Sequence, residues 1–210
     1  MVLKLSKIEN IFLHNHPALE PDDDCYFLGE YTSGRDYRHS GTNNLISNFK
    51  KSPERKGRPE WRYKEKAIKK IAEAFRKSLR YAWLQKITLV PIPPSKAKWD
   101  ALYDDRMLRV LEILNQKFDN GLDIRELILQ RESTQSDHGA SFRQPPGHLI
   151  ENYYIDQEIV NPEPKEIALF DDLLTTGKHF KAAQHVLMKQ YPTVKIRGIF
   201  VARRILEDTE

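Results

Sequence analysis

Residues 167–177 read IALFDDLLTTG, and this stretch constrains the fold more than any other. Ile167, Ala168, Leu169 and Phe170 are uniformly apolar, the pattern of a β-strand buried on both faces rather than one alternating between core and solvent. Two adjacent carboxylates follow, Asp171 and Asp172, then two leucines, two threonines and a glycine. The pattern predicts a strand over 165–172, a turn over 173–177 and a helix over 178–191 with Phe180, Ala183, Leu187 and Tyr191 on its apolar face. A strand buried on both faces needs layers above and below it, which points to an α/β fold with a mostly parallel sheet flanked by helices.

The same alternation recurs elsewhere. Ile68, Ile71, Phe75, Leu79 and Ala82 lie on one face of a helix predicted over 60–84. KITLVPI (86–92) reads as a short buried strand ended by Pro93 and Pro94. Leu108, Leu111, Leu114 and Phe118 mark a helix over 104–118, RELILQR (125–131) is a further strand, and KIRGIFVARR (195–204) closes as another. The first third differs: CYFLGEYT (25–32) is an aromatic-rich strand, and NLISNFKK (44–51) is a short amphipathic helix capped by Asn43 or Asn44. These elements are expected to form an N-terminal hood over 1–58, outside the sheet of a core domain over 59–210.

Size and composition set outer limits. The 210 residues suffice for one domain with a full core, and 40% hydrophobic and 30% charged residues with a mean hydropathy of −0.64 suit a soluble chain. MVLKLSKIENIFL is interrupted by Lys4, Lys7 and Glu9 and has no signal-peptide core, and no apolar run is long enough to span a bilayer. The expected location is the cytoplasm, with no membrane partner. A single cysteine, Cys25, excludes an internal disulfide and a cysteine-based zinc site. Residues 50–80 hold 13 Lys/Arg against 4 Asp/Glu, a balance of +9 in a chain of net charge +4. Such a block can attract phosphates of a nucleotide or nucleic acid; it can equally be the solvated face of a helix.

The chemistry is expected where strand 165–172 ends. Ligands of open α/β sheets bind at the carboxyl edge of the strands. Thr175, Thr176 and Gly177 precede a helix whose first turn has free backbone N–H groups, a site suited to a phosphate dianion. Asp171 and Asp172 would repel that anion, so a different task falls to them: accepting hydrogen bonds from the vicinal hydroxyls of a ribose and favouring positive charge on a sugar ring.

IALFDDLLTTGKH resembles the phosphoribosyl-pyrophosphate (PRPP) binding motif of the type I phosphoribosyltransferases. The resemblance implies a type I phosphoribosyltransferase-like fold, with Asp171 and Asp172 on the ribose and Leu173, Leu174, Thr175, Thr176 and Gly177, with Lys178, around the 5-phosphate. His179 stands where the family usually has a hydroxyl residue. VPIPPSKAKWD is similar to the pyrophosphate loop of the competence-protein-F-like branch, which implies Ser95 and Lys96 at the diphosphate. QRESTQSDHGASFRQPPGHLIEN resembles that branch's flexible catalytic loop, with Arg131, Gln135 and Arg143 as landmarks, and FLGEYTSG…NNLISNFKK its hood. The cysteine zinc ribbon often found in that branch is missing.

What the resemblance implies is a phosphoribosyltransferase, a pentosyl-transferring glycosyltransferase of nucleotide metabolism. It would move 5-phosphoribosyl from PRPP to a nitrogen nucleophile with release of pyrophosphate. Magnesium would be held mainly by PRPP, with no direct protein ligand. Asp171, Asp172, Lys96 and Arg131 would carry the chemistry, and a homodimer is common in the family. The alternative is a non-catalytic PRPP- or nucleotide-binding regulatory module, linked to DNA uptake, repair or phage defence and meeting nucleic acid through segment 50–80.

Other residues carry weaker signals. His14 and His16 alternate on a possible strand and share a face, as two metal ligands would. Asp22, Asp23 and Asp24 lack the spacing of a calcium loop. Asp104 and Asp105 suit a helix start, and Arg106 can face the site.

Overall fold

The computed structural model describes residues 4–134 and 147–206. Its frame is a six-stranded sheet in the order β1-β2-β8-β7-β3-β4. The strands are β1 (Ser6–Lys7), β2 (Cys25–Thr32), β3 (Thr88–Pro91), β4 (Asp123–Ile124), β7 (Glu166–Leu174) and β8 (Lys195–Ile205). β1 pairs antiparallel with β2, and every other pairing in this sheet is parallel. A separate antiparallel pair joins β5 (Ile128–Gln130) to β6 (Tyr153–Ile155), so only Ile128–Gln130 of the strand expected over 125–131 is extended, and it stands outside the main sheet.

Helices cover both faces, as the apolar run in β7 requires. On one side lie α1 (Gly41–Phe49), α2 (Trp61–Ser78), α3 (Tyr81–Leu84) and α4 (Arg106–Gln116); α6 (Lys178–Gln190) lies on the other, and α5 (Gly147–Asn152) packs beside α6. β7 alternates between the two cores. Ala168 and Phe170 join Phe49, Ile71, Phe75 and Leu111, with Phe75 edge-on to Phe170 at 5.3 Å between ring centroids. Ile167 and Leu169 join Phe180, Leu187 and Phe200. Each such large apolar side chain contributes about 1.5–3 kcal/mol when fully buried.

The expectation of an N-terminal hood outside the sheet is corrected. β2 pairs along its length with β8, from Cys25 opposite Gly198 to Thr32 opposite Ile205, and Leu45, Ile46 and Phe49 of α1 lie in the same core as α2 and α4. The alternation of buried Cys25, Phe27 and Leu28 with half-exposed Tyr26 and Gly29 fits a strand one place from the sheet's edge. The cap of α1 also moves. Ser40 accepts the Asn43 N–H at 3.0 Å, while the Asn43 amide is drawn inward, accepting from Thr32 N–H and donating to Thr32 O.

The helix expected over 60–84 breaks after Ser78. Leu79 takes an extended conformation, φ −101° and ψ 136°, that buries its side chain, and Ala82 is exposed. Tyr81 then stacks on Phe118, 4.4 Å between centroids. In α4 the buried stripe is Met107, Val110, Leu111 and Leu114, so Leu108 is only half-buried. No helix among the described residues is long and apolar enough to cross a membrane.

Candidate functional site

The two aspartates lie inside β7 rather than beyond it. Asp171 is opposite Phe200, Leu173 opposite Ala202 and Leu174 opposite Arg203 of β8. Leu173 and Leu174 are buried, one in each core. The expectation that both leucines belong to the phosphate loop is corrected: apolar partners on each face extend the strand through Leu174. The bend is confined to Thr175, Thr176 and Gly177.

Asp172 is 4% exposed and held by two cations. Lys50 Nζ, at the end of α1, is 3.2 Å from its carboxylate. Arg106, at the start of α4, donates from Nε at 2.9 Å and from Nη2 at a shorter distance. The third donor of that guanidinium, Nη1, reaches Asp104 at 2.7 Å. Asp104 in turn accepts from Lys64 at 2.6 Å, and the fully buried Lys64 ammonium also donates to the carbonyls of Phe49 and Lys51. The result is an alternating chain, Lys50–Asp172–Arg106–Asp104–Lys64, linking β7 to α1, α2 and α4.

Neighbouring carboxyls in this setting titrate far apart. Burial, then the charge of Asp172, pushes Asp171 up to about 7. Asp171 accepts the Asp172 backbone N–H at 2.7 Å. Burial also opposes ionisation of Asp172, but Lys50 and Arg106 outweigh it and hold that carboxyl well below the usual range. Below about pH 7 the pair thus presents one protonated and one ionised carboxyl. Beside it is a slot of about 20 Å³ between the Pro91–Pro94 segment, the start of α4 and the two aspartates. That is room for about one water.

Gly177 has φ +88°, the left-handed conformation that glycine adopts without strain. A Cβ there would meet Leu19 Cδ2 at 2.8 Å. The N-terminal segment packs on the bend: His16 Nδ1–H donates to Thr175 O at 2.5 Å, and Ala18 N–H to Thr176 O at 2.9 Å. These contacts occupy carbonyls and leave the first amides of α6 without a side-chain cap, the donors an anion uses. His179 Nδ1 is 2.8 Å from the Tyr153 hydroxyl.

The loop holding Ser95 and Lys96 and the segment holding Arg131 are stitched together. Thr134 N–H donates to Ser95 O at 2.7 Å, Ala97 N–H to Ser133 Oγ at 3.1 Å, and Ser133 Oγ–H to Asp100 at 2.6 Å. The Trp99 indole donates to Arg131 O at 3.3 Å. The Ser133 bond is the main reason Asp100 stays below the usual carboxylate range. Lys96 Nζ lies 3.9 Å from Asp100, and the Arg131 guanidinium lies 5.0 Å from the Tyr154 ring centroid. No hydrogen bond or ion pair joins Lys96 or Arg131 to Asp171 or Asp172 among the described residues. Gln135 and Arg143 lie outside the described residues.

Of the basic block, Lys50 and Lys64 turn inward, while Arg62, Lys66, Lys69 and Lys70 are exposed on α2. Tyr63, 41% exposed, has Lys51, Arg62 and Lys66 around its ring at 4.9–6.0 Å. His14 and His16 do not share a strand face. A 3-10 turn spans Asn10–Asn15, His14 faces Ile11 O, and His16 is fully buried. No group of three metal-ligating side chains occurs among the described residues.

Lys50 and Lys64 escape a reading based on charge runs. A signal was present for Lys64: it precedes Ile68, Ile71 and Phe75 by 4, 7 and 11 positions and so continues their buried stripe. Nothing local marks Lys50, which reaches a carboxylate 122 residues away. No protein-family model matches the chain, and no curated protein matches it.

Proposed function

We propose that the chain is a type I phosphoribosyltransferase-like enzyme that takes PRPP with magnesium and transfers its 5-phosphoribosyl group to a nitrogen nucleophile. One observation carries the reading: two adjacent carboxyls pushed apart in acidity lie near the carboxyl end of a central parallel strand, and two residues beyond them a Thr-Thr-Gly bend leads into the uncapped start of α6. In this reading the ribose hydroxyls meet Asp171 and Asp172, while the 5-phosphate meets the Thr175 and Thr176 hydroxyls and the first amides of α6 near Lys178. Magnesium rides on the diphosphate, because Asp172 already spends its lone pairs on Lys50 and Arg106.

Transfer breaks the bond between the ribose anomeric carbon and the diphosphate oxygen. The electron pair leaves with pyrophosphate, and the nucleophile's lone pair forms the new bond from the opposite face. The ionised Asp172 favours positive charge on the ring while Asp171 holds a ribose hydroxyl, and the stitched Ser95–Lys96 and Arg131 segments give the leaving group cations held on a shared support.

A second reading is binding of PRPP or a nucleotide as a signal, without transfer. The slot beside the aspartates, about 20 Å³, has to widen for a ribose phosphate in either reading. Titration calorimetry with Mg-PRPP tests both. Binding that Thr175→Val and Thr176→Val weaken, with pyrophosphate released on adding a base, supports the enzyme. Binding without release from any of a panel of bases supports the regulator, and no binding at millimolar Mg-PRPP overturns both.

A further inference from the structure

Asp172 sits between two cations before any ligand arrives. A buried ion-paired carboxylate is weak evidence of a stabilising device, since apolar replacements of such networks are often neutral or better. The arrangement of the donors is more informative. Arg106 turns Nε and Nη2 toward Asp172, while Nη1 is fixed by Asp104, itself fixed by Lys64. If Asp172 were taken, Arg106 would stay anchored through Asp104 and present two parallel N–H donors, the fork that suits a phosphate. Lys50 would come free as well, and its side chain, 27% exposed, is open to solvent.

We infer that Asp172 holds Lys50 and Arg106 in reserve as an anion-binding pair, released when a ligand's hydroxyls take over the carboxylate. The ligand class is a polyol carrying a diphosphate. The identity of the hydroxyls rests on the phosphoribosyl reading above; the release of two cations rests on the ion pairs alone. Two features favour an anion there. The network has three cations against two carboxylates. The start of the 11-residue helix α4 borders the slot and adds its positive end. Asp105 and Glu126 also border the slot and oppose an anion inside it, so the diphosphate belongs on the Lys50 side of Asp172, outside the slot. The exchange makes binding graded: a diphosphate without hydroxyls has to compete with Asp172 for the pair and binds weakly.

The test uses magnesium pyrophosphate as the probe, titrated into the full chain and its variants. Asp172→Asn removes the charge that retains both cations. It is expected to bind magnesium pyrophosphate at least about tenfold more tightly than the unmodified chain, and adding Lys50→Met is expected to cancel much of that gain. Unchanged or weaker binding by a folded Asp172→Asn protein overturns the inference. If a melting curve shows Asp172→Asn to be unfolded, Lys50→Met alone decides: a loss of about tenfold is expected, and equal or tighter binding overturns the reserve. Failure of the unmodified chain to bind Mg-PRPP counts against the phosphoribosyl reading and is separate, because the pyrophosphate comparison needs no PRPP.

Discussion

His16, in the N-terminal third, donates its Nδ1 proton to the carbonyl oxygen of Thr175, 159 residues later, at 2.5 Å. Burial lowers the His16 pKa below 6.5; the bond to Thr175 opposes this, and Arg203 and Arg204 add to the lowering. The ring is therefore neutral in the folded chain at pH values where the unfolded chain takes up a proton. Stability is full above pH 6.5 and falls as the pH drops from there to the folded-state pKa, at up to about 1.4 kcal/mol per pH unit. Urea denaturation from about pH 8 to about pH 5 should show this slope in the unmodified chain and lose it in His16→Gln.

Asp171 has the opposite sign. Its folded-state pKa, about 7, exceeds the ordinary 3.8. Below pH 3.8 the protonated carboxyl contributes fully, and the contribution is lost as the pH rises through about 7. Asp171→Asn keeps an acceptor for the Asp172 N–H and removes the titration. It should be more stable than the parent by up to about 4 kcal/mol near pH 7.5 and nearly equal to it near pH 4, read by denaturant midpoints. A variant weaker than its parent at both pH values would show that Asp171 is ionised in the folded protein.

Lys64→Met takes one of two cations from the buried Asp104, leaving Arg106, and leaves the Phe49 and Lys51 carbonyls without their donor. A cost of about 3 kcal/mol is expected. Adding Asp104→Asn should recover part of it, because the half-compensated charge is then gone. Thermal melts of the two singles and the double measure the coupling.

Gly177→Ala meets two separate penalties. The left-handed φ of +88° costs about 1–2 kcal/mol for a residue with a side chain. The new Cβ also meets Leu19 at 2.8 Å. Leu19→Ala relieves only the second, so the double variant should be destabilised by less than the sum of the singles. Strict additivity would mean that Leu19 moves aside without cost.

Periodicity made the layers legible. The apolar run 167–170 and the stripe Phe180, Ala183, Leu187 and Tyr191 lie in the core where the sequence places them. It failed where tertiary contacts overrule local pattern. Leu173 and Leu174 look like turn residues only until Ala202 and Arg203 pair with them. CYFLGEYT looks like a hood strand until β8 takes it into the sheet. In the site, the Asp-Asp-x-x-Thr-Thr-Gly order was readable because its spacing is local. Its counter-charges were not, since Lys50, Arg106 and Asp172 converge from three elements, and sequence distance carries no trace of that meeting.

β2 and β8 are zipped together along most of their length, yet the residues that meet across them, Asp24 with Arg197 and Glu30 with Arg203, are 173 positions apart. On a ribosome, β2 emerges long before its neighbour is made and has β1 on one side and an open row of peptide groups on the other. The sheet can be sealed only at this seam, after nearly everything else has been synthesised, and such distant pairings form slowly. During that interval the nascent chain carries an unsatisfied parallel strand with three aromatic residues, Tyr26, Phe27 and Tyr31, the kind of open edge on which partly folded chains aggregate.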